Sequence, residues 1–340
     1  VTGRGDPDMA TRVVFPAVNT VELEEFEVVD LLPGCLRIRS ECSLMSTGTE
    51  GIALRRLFDD DSHWALFAQY PFFPGYAVVG AVTEVGDGVE GFTLGQRVVT
   101  RAPHASEHVM SALMCTPVPD EIGSPEAAWF AFSKIALMAA WAGDLRIGKT
   151  VAVIGAGPIG QMALRWSLAS GARHVVAVDG FASRLALAQQ GGATAVVAEA
   201  LPASRDAVID FCGGRPEVVI DSTGNADVFA EALVLAADGG RVVVLGDTGS
   251  PHSQSLTADV ITRNLHIVGA HDTNSMKGPG WDGDRALHEL FFDLVRRGRF
   301  DVGNLNTHTF APAACAAAYD LATQRRGDTM GVLFDWSQEP

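Results

Sequence analysis

The chain has 340 residues, 47% of them hydrophobic and 36 of them glycine, with 25 basic against 41 acidic side chains for a formal charge of −16. That length exceeds one ordinary core and suits two domains, and the composition is that of a globular α/β protein. The acidic excess repels nucleic acid and anionic lipid, and no run reaches the eighteen or more apolar residues of a membrane span, so the expected partner is a small neutral or cationic molecule.

The first residues contain no apolar signal core. The five cysteines, Cys35, Cys42, Cys115, Cys212 and Cys315, are scattered without a CxxC pair, which fits buried thiols in a reducing, cytoplasmic compartment. Residues 11–118 read as β-rich, with short alternating or apolar runs at 12–15, 36–42, 77–85 and 96–100 broken by Gly and Pro. The stretch 126–142 is apolar at helical length and follows Ser124-Pro125, an N-cap with proline at the first helical position, so one long helix is expected there. From 151 onward, apolar strands at 151–154, 175–178, 195–197, 218–221, 241–245 and 265–269 alternate with helical segments. That rhythm demands a parallel, doubly wound sheet with right-handed crossovers. A Gly-rich loop at 276–283, a helix at 284–297 and a strand-like segment at 330–335, expected to return to the first domain, complete the chain.

The most specific motif opens the alternating part. A buried apolar strand from Val151 enters Gly155-Ala-Gly157-Pro158-Ile159-Gly160, a GxGxxG turn that begins a helix. Gly155 permits the tight turn, Gly157 lets a pyrophosphate approach the backbone, and Gly160 lets helix pack on strand, while the helix N-terminus offers N–H groups to phosphate. Asp179 closes the next apolar run nineteen residues after Gly160, the position of an acid that meets the adenosine ribose of NAD. Its carboxylate repels the 2′-phosphate of NADP, so NAD is the expected cofactor, with Arg184 nearby. Ligands bind at the carboxyl ends of parallel strands, which adds Ser222, Thr223, Gly224, Leu245, Gly246, Asp247 and His271 as cofactor contacts.

Three further segments carry a family resemblance: Ser43-Leu-Met-Ser-Thr47-Gly48-Thr49-Glu50, Pro74-Gly75-Tyr76-Ala77-Val-Val-Gly80 and Phe92-Thr-Leu-Gly95-Gln-Arg97-Val98-Val99. With them the chain resembles the medium-chain dehydrogenase/reductase superfamily, the zinc alcohol dehydrogenase relatives, over nearly its whole length. The Ser-Thr-Gly-Thr-Glu variant and the segment Asn304-Leu-Asn-Thr-His-Thr-Phe310 are similar to the branch around bacteriochlorophyllide a dehydrogenase. The resemblance implies a Rossmann doubly wound parallel sheet inserted in a β-rich, GroES-like catalytic domain. Residues 1–131 would form the first part of that domain, 132–271 the NAD-binding domain and 272–340 the return. It also implies a homodimer or homotetramer, with the strand at 265–269 pairing across a two-fold axis.

The resemblance fails at the metal. Where the family places its catalytic zinc ligands (a Cys, then His and Glu, then a further Cys or Glu), this chain has Thr47, Tyr76, Ala77 and the stretch Trp129, Phe130, Ala131. These cannot assemble the N/S set that zinc requires. The four-cysteine lobe of a structural zinc is missing too, because Val98 to His108 runs directly into the next strand. The expectation is a metal-free enzyme; the alternative is a zinc held by the nonstandard histidines His63, His104 and His108.

Four residues are candidates for the vacated role. Lys134 stands in Phe-Ser-Lys, similar to the family's Phe-Ser-Thr at the nicotinamide, and burial would make it an acid or base near neutral pH. Tyr76 stands at a zinc-histidine position, Thr49 matches the family hydroxyl that relays the alcohol proton, and His104 would be a terminal proton carrier. Each has a plainer reading: a snorkelling lysine, a core aromatic, a turn residue, an exposed histidine. The expected function is a zinc-independent, NAD-dependent oxidoreductase interconverting a secondary alcohol (polyol, sugar, aminocyclitol or similar) and a ketone. The alternatives are an NAD(P)H-dependent reductase of activated C=C bonds or quinones, and a catalytically inactive NAD-binding protein.

Overall fold

The computed structural model describes residues 9–272 and 283–338, so all of the expected Gly-rich loop except Gly283 lies outside the described residues. At the start, β1 (Met9–Val14) and β2 (Glu22–Glu27) form an antiparallel ribbon. An antiparallel array follows, built from β3 (Cys35–Leu44), β4 (Val78–Val85), β5 (Arg97–Thr100), β6 (Glu107–Ser111) and β7 (Cys115–Pro117).

The middle of the chain forms an all-parallel sheet from β8 (Thr150–Ile154), β9 (His174–Val178), β10 (Ala195–Val197), β11 (Val218–Asp221), β12 (Arg241–Val244) and β13 (His266–Gly269). Helices cover a parallel sheet on both faces, which is why its strands read as unbroken apolar runs; Val151, Ala152 and Val153 are completely buried. The strand order is β10-β9-β8-β11-β12-β13. It reverses at β8, so a crevice opens beyond the carboxyl end of that strand, where α/β sheets hold ligands. Finally β14 (Asn306–Phe310) and β15 (Gly331–Asp335) rejoin the antiparallel array in the order β14-β15-β3-β4-β5-β7, with β6 also on β3. The result is a Rossmann-type sheet set within a GroES-like lobe.

One buried cluster runs through both lobes: Val79 and Val99 of the antiparallel array share it with Val151 and Val175 of the parallel sheet and with Trp129, Phe130, Phe132 and Phe291. The single helix expected over 126–142 is two helices, Ser124–Ala127 and Phe130–Ala142. Between them the Trp129 N–H reaches back to the Glu126 carbonyl (3.2 Å), a tightened turn, while the buried Trp129 indole donates to Asn306 Oδ1 (3.0 Å). The helix cap is Gly123 rather than Ser124, its N–H held by the Glu126 carboxylate at 2.9 Å. The helix Phe130–Ala142 is apolar almost all round and buries ten of its thirteen residues, Lys134 among them.

Candidate active site

Strand β8 runs into Gly155, whose φ of +88° lies in the left-handed region that glycine alone adopts freely. Gly160 packs on it so closely that a Cβ there would stand 1.9 Å from the Gly155 carbonyl oxygen. The helix Pro158–Ala169 begins at the Gly157 cap with Pro158 in its first turn, and the N–H groups of that turn open on the crevice as an anion site. Ile159 is part of the same turn. Asp179, just after β9, is 9% exposed and accepts hydrogen bonds from the Ala156 and Phe181 N–H groups, both at 2.8 Å. The Arg184 guanidinium lies 3.8 Å from this carboxylate and 3.5 Å from where a Gly157 Cβ would stand. Glycine turn, acid and arginine therefore meet at one end of the crevice, and the cradle that added Cβ atoms would fill fits a dinucleotide.

The remaining expected cofactor contacts divide. Ser222 Oγ donates to the carbonyls of Ile154 (3.0 Å) and Gly155 (2.9 Å), Thr223 Oγ1 donates to Asp221 (2.6 Å), and Gly224 (φ +65°) and Gly246 pack backbone against backbone. These brace the glycine turn from below. Leu245 is buried in the main core. Asp247 engages His63 across the lobes at 2.8 Å, and His271 is an exposed side chain 3.7 Å from Asp272.

Because Asp179 also holds the turn, Asp179→Ala is an informative variant. It is expected to weaken NAD binding about 10–100-fold, the worth of hydrogen bonds to a charged group, and NADP binding much less. Equal losses in titrations of both would mean that the acid only braces Ala156.

The Tyr76 hydroxyl lies 2.6 Å from Ser46 Oγ, with Thr49, the first residue of the helix Thr49–Arg55, beside it. The ring stacks on Phe132 (5.6 Å), and the Arg101 guanidinium sits 4.9 Å from the ring centre. Burial pushes the phenol above its ordinary pKa, so it stays protonated at neutral pH and can donate. Lys134 is 3% exposed; its Nζ lies 2.7 Å from Asp284 Oδ2 and 3.9 Å from Asp272 Oδ2. Arg101, which follows β5, hydrogen-bonds Asp272, which lies beyond β13, so this charged cluster spans the two lobes. Burial lowers the Lys134 pKa, with Asp284 opposing and Arg101 adding to the shift. The snorkelling alternative for Lys134 is excluded by its depth.

Sequence reasoning missed Ser46, Arg101, Asp272 and Asp284. Arg101 and Asp272 are 171 residues apart, and no motif or spacing links them.

His104 is corrected. It is completely buried, with Nδ1 2.7 Å from Ser43 Oγ, Nε2 3.2 Å from Glu50 Oε2 and its ring edge-on to Phe334. A group sealed under β15 cannot exchange protons with solvent, so it is no terminal carrier. It belongs to a buried knot in which Glu50 also accepts from the Ser46 N–H (2.7 Å) and the Tyr319 hydroxyl. That knot fixes the turn carrying Ser46 and Thr49 beneath Tyr76.

Residues 45–131 match the alcohol dehydrogenase GroES-like domain, and residues 158–278 match the zinc-binding dehydrogenase family. An alcohol dehydrogenase of Cupriavidus necator is 26% identical across 94% of this chain and 97% of its own. An L-threonine 3-dehydrogenase of Anaeromyxobacter sp. (strain K) is 29% identical across 78% of this chain and 82% of its own. The structure of 2R,3R-butanediol dehydrogenase from Bacillus subtilis superposes with a TM-score of 0.79 over 96% of this chain and 99% of that one; at 19% identity this shows a shared fold. A glycine-turn sheet set in a GroES-like lobe, with both domains matched in that order, is the architecture of the two-domain dehydrogenases. The chain belongs to the medium-chain dehydrogenase/reductase superfamily of oxidoreductases, among the zinc-alcohol-dehydrogenase-like proteins.

Zinc does not fit the residues at the family's ligand positions. A hydroxyl (Thr47), a phenol already hydrogen-bonded to Ser46 (Tyr76), a buried methyl (Ala77) and buried hydrocarbon at Trp129, Phe130 and Ala131 offer no ligand set. Among the described residues no group of three or more His, Cys, Asp or Glu is placed to hold a metal ion.

Proposed function

We propose that the protein is a zinc-independent, NAD-dependent oxidoreductase interconverting a secondary alcohol, of the polyol, sugar or aminocyclitol kind, and its ketone. The observation that carries this reading is a polar set in place of a ligand set: Tyr76 hydrogen-bonded to Ser46 beside Thr49, with Arg101 over its ring and buried Lys134 in the same charged cluster. The protonated phenol donates to the substrate oxygen, in a setting where fixed donors act far more strongly than in water. Lys134 takes or returns the carbinol proton. NAD, held by the glycine turn and Asp179, supplies the hydride acceptor when bound. Among the described residues the cluster holds two cations, Lys134 and Arg101, and two carboxylates, Asp272 and Asp284, and the substrate is proposed to be neutral. Five free cysteines fit a cytoplasmic setting, and among the described residues no helix is long and apolar enough to cross a membrane. Kinship with the bacteriochlorophyllide a dehydrogenase branch is proposed on its two similar segments.

The test is NADH formation by the purified protein on a panel of secondary alcohols. Turnover with NAD is expected, undiminished by chelator, and metal analysis should find no stoichiometric zinc. One tightly bound zinc per subunit, with activity lost on its removal, would overturn the metal-free mechanism.

A homodimer or homotetramer through β13 is proposed as well. This strand forms one edge of the parallel sheet, and Leu256, Ile261 and Ile267 near it are 68%, 81% and 38% exposed. Light scattering at micromolar concentration should report a dimer or larger; a monomer rules the pairing out.

A further inference from the structure

Oxidising an alcohol releases a proton inside the crevice, and that proton needs a path to water. His104 offers none, being sealed beneath β15. His288 offers none either. It is 3% exposed, its Nδ1 lies 3.0 Å from Thr116 Oγ1, and burial holds it down to about 3, so it stays neutral. Asp272 is 6% exposed and already carries the Arg101 hydrogen bond, with Lys134 Nζ at 3.9 Å and the exposed His271 at 3.7 Å.

Asp284 differs from all of these. One carboxylate oxygen lies 2.7 Å from Lys134 Nζ, a direct hydrogen bond, yet the side chain is 39% exposed. It is the first residue of the helix Asp284–Arg296, so its carboxylate stands at the open end of that helix rather than inside it.

We propose that Lys134 and Asp284 form the proton exit of this enzyme, a route that rests on the functional reading above. As hydride leaves the carbinol carbon for the nicotinamide, the carbinol O–H bond breaks and its proton moves to Lys134 Nζ. In the same movement Nζ passes a proton to Asp284 Oδ2. The carboxyl group then loses that proton to water, which restores the ammonium–carboxylate pair. In ketone reduction the same bonds form and break in reverse. Charge and electrons balance, since two electrons leave as hydride and one proton reaches solvent.

Asp284→Asn keeps the shape and the contact with Lys134 but cannot carry a proton. With NAD and 2,3-butanediol or another alcohol accepted in the panel, kcat is expected to fall about 10²-fold, the low end for a positioned proton-transfer group. The KM for NAD should be unchanged, the solvent isotope effect on kcat should rise, and Asp284→Glu should restore most of the rate. Formate added to Asp284→Ala should recover part of it, which a merely structural role would not allow. A second readout needs no turnover: competitive labelling of the Lys134 amine across pH should show its midpoint moving to lower pH in Asp284→Asn, because the partner carboxylate is gone. A fully active Asp284→Asn, or an unmoved labelling midpoint, overturns the route while leaving the functional reading intact. A wild-type protein inactive on every alcohol of the panel overturns that reading and the route with it.

Discussion

Lys134→Ala is expected to lower turnover roughly 10²–10³-fold, the cost of removing one preorganised donor from a water-poor site, while NAD affinity stays nearly unchanged. The reason is position. Lys134 is 3% exposed on an otherwise apolar helix, and its ammonium is kept there by Asp284 at 2.7 Å. On the proposed reading this buried cation manages both the charge on the substrate oxygen and its proton. Lys134→Met, which keeps bulk without charge, should not rescue the rate. Steady-state kinetics with NAD and an accepted alcohol decide the matter. If both variants keep near-normal turnover, Tyr76 with Thr49 is the better assignment.

Gly160→Val should abolish measurable NAD binding. Even a Cβ at this position would stand 1.9 Å from the Gly155 carbonyl oxygen and 2.9 Å from its carbon, both backbone atoms that cannot swing aside. The turn must open, carrying with it the Ala156 N–H that binds Asp179. Overpacking of this kind costs about 1–3 kcal/mol of stability, so a lowered melting temperature should accompany the loss of cofactor. Fluorescence titration with NADH and a thermal melt check both parts. Retained affinity would mean that the dinucleotide is held elsewhere.

The glycine turn and the acid beside it were legible because local rules govern them. Unbroken apolar runs marked β8 and β9, and the glycine spacing with the acid at 179 marked the turn between them. The antiparallel lobe was harder to read. β2 carries four glutamates in Glu22–Glu27 and pairs with β1 in a two-stranded ribbon, so its Leu23 and Phe26 give no clear alternation. The charged cluster was invisible for another reason: Lys134 stands out as a cation in apolar surroundings, but its partners come from distant segments. His104 looked like a loop residue because nothing near it announces burial; Phe334 and Trp336, more than two hundred residues later, supply the cover.

The contacts at the far end of the crevice carry a kinetic consequence. Arg184 donates to the Arg326 carbonyl at 2.6 Å, Ser183 donates to the Gly327 carbonyl, and Gly327 lies flat against the Phe181 ring. They tie the segment before β15 to the cofactor lobe beside Asp179, so a dinucleotide held as proposed is expected to leave only when these contacts break. On that reading, departure of the reduced coenzyme is the expected slow event of the cycle. Rapid mixing should show a first turnover faster than those that follow, with order of addition fixed: coenzyme on first, off last.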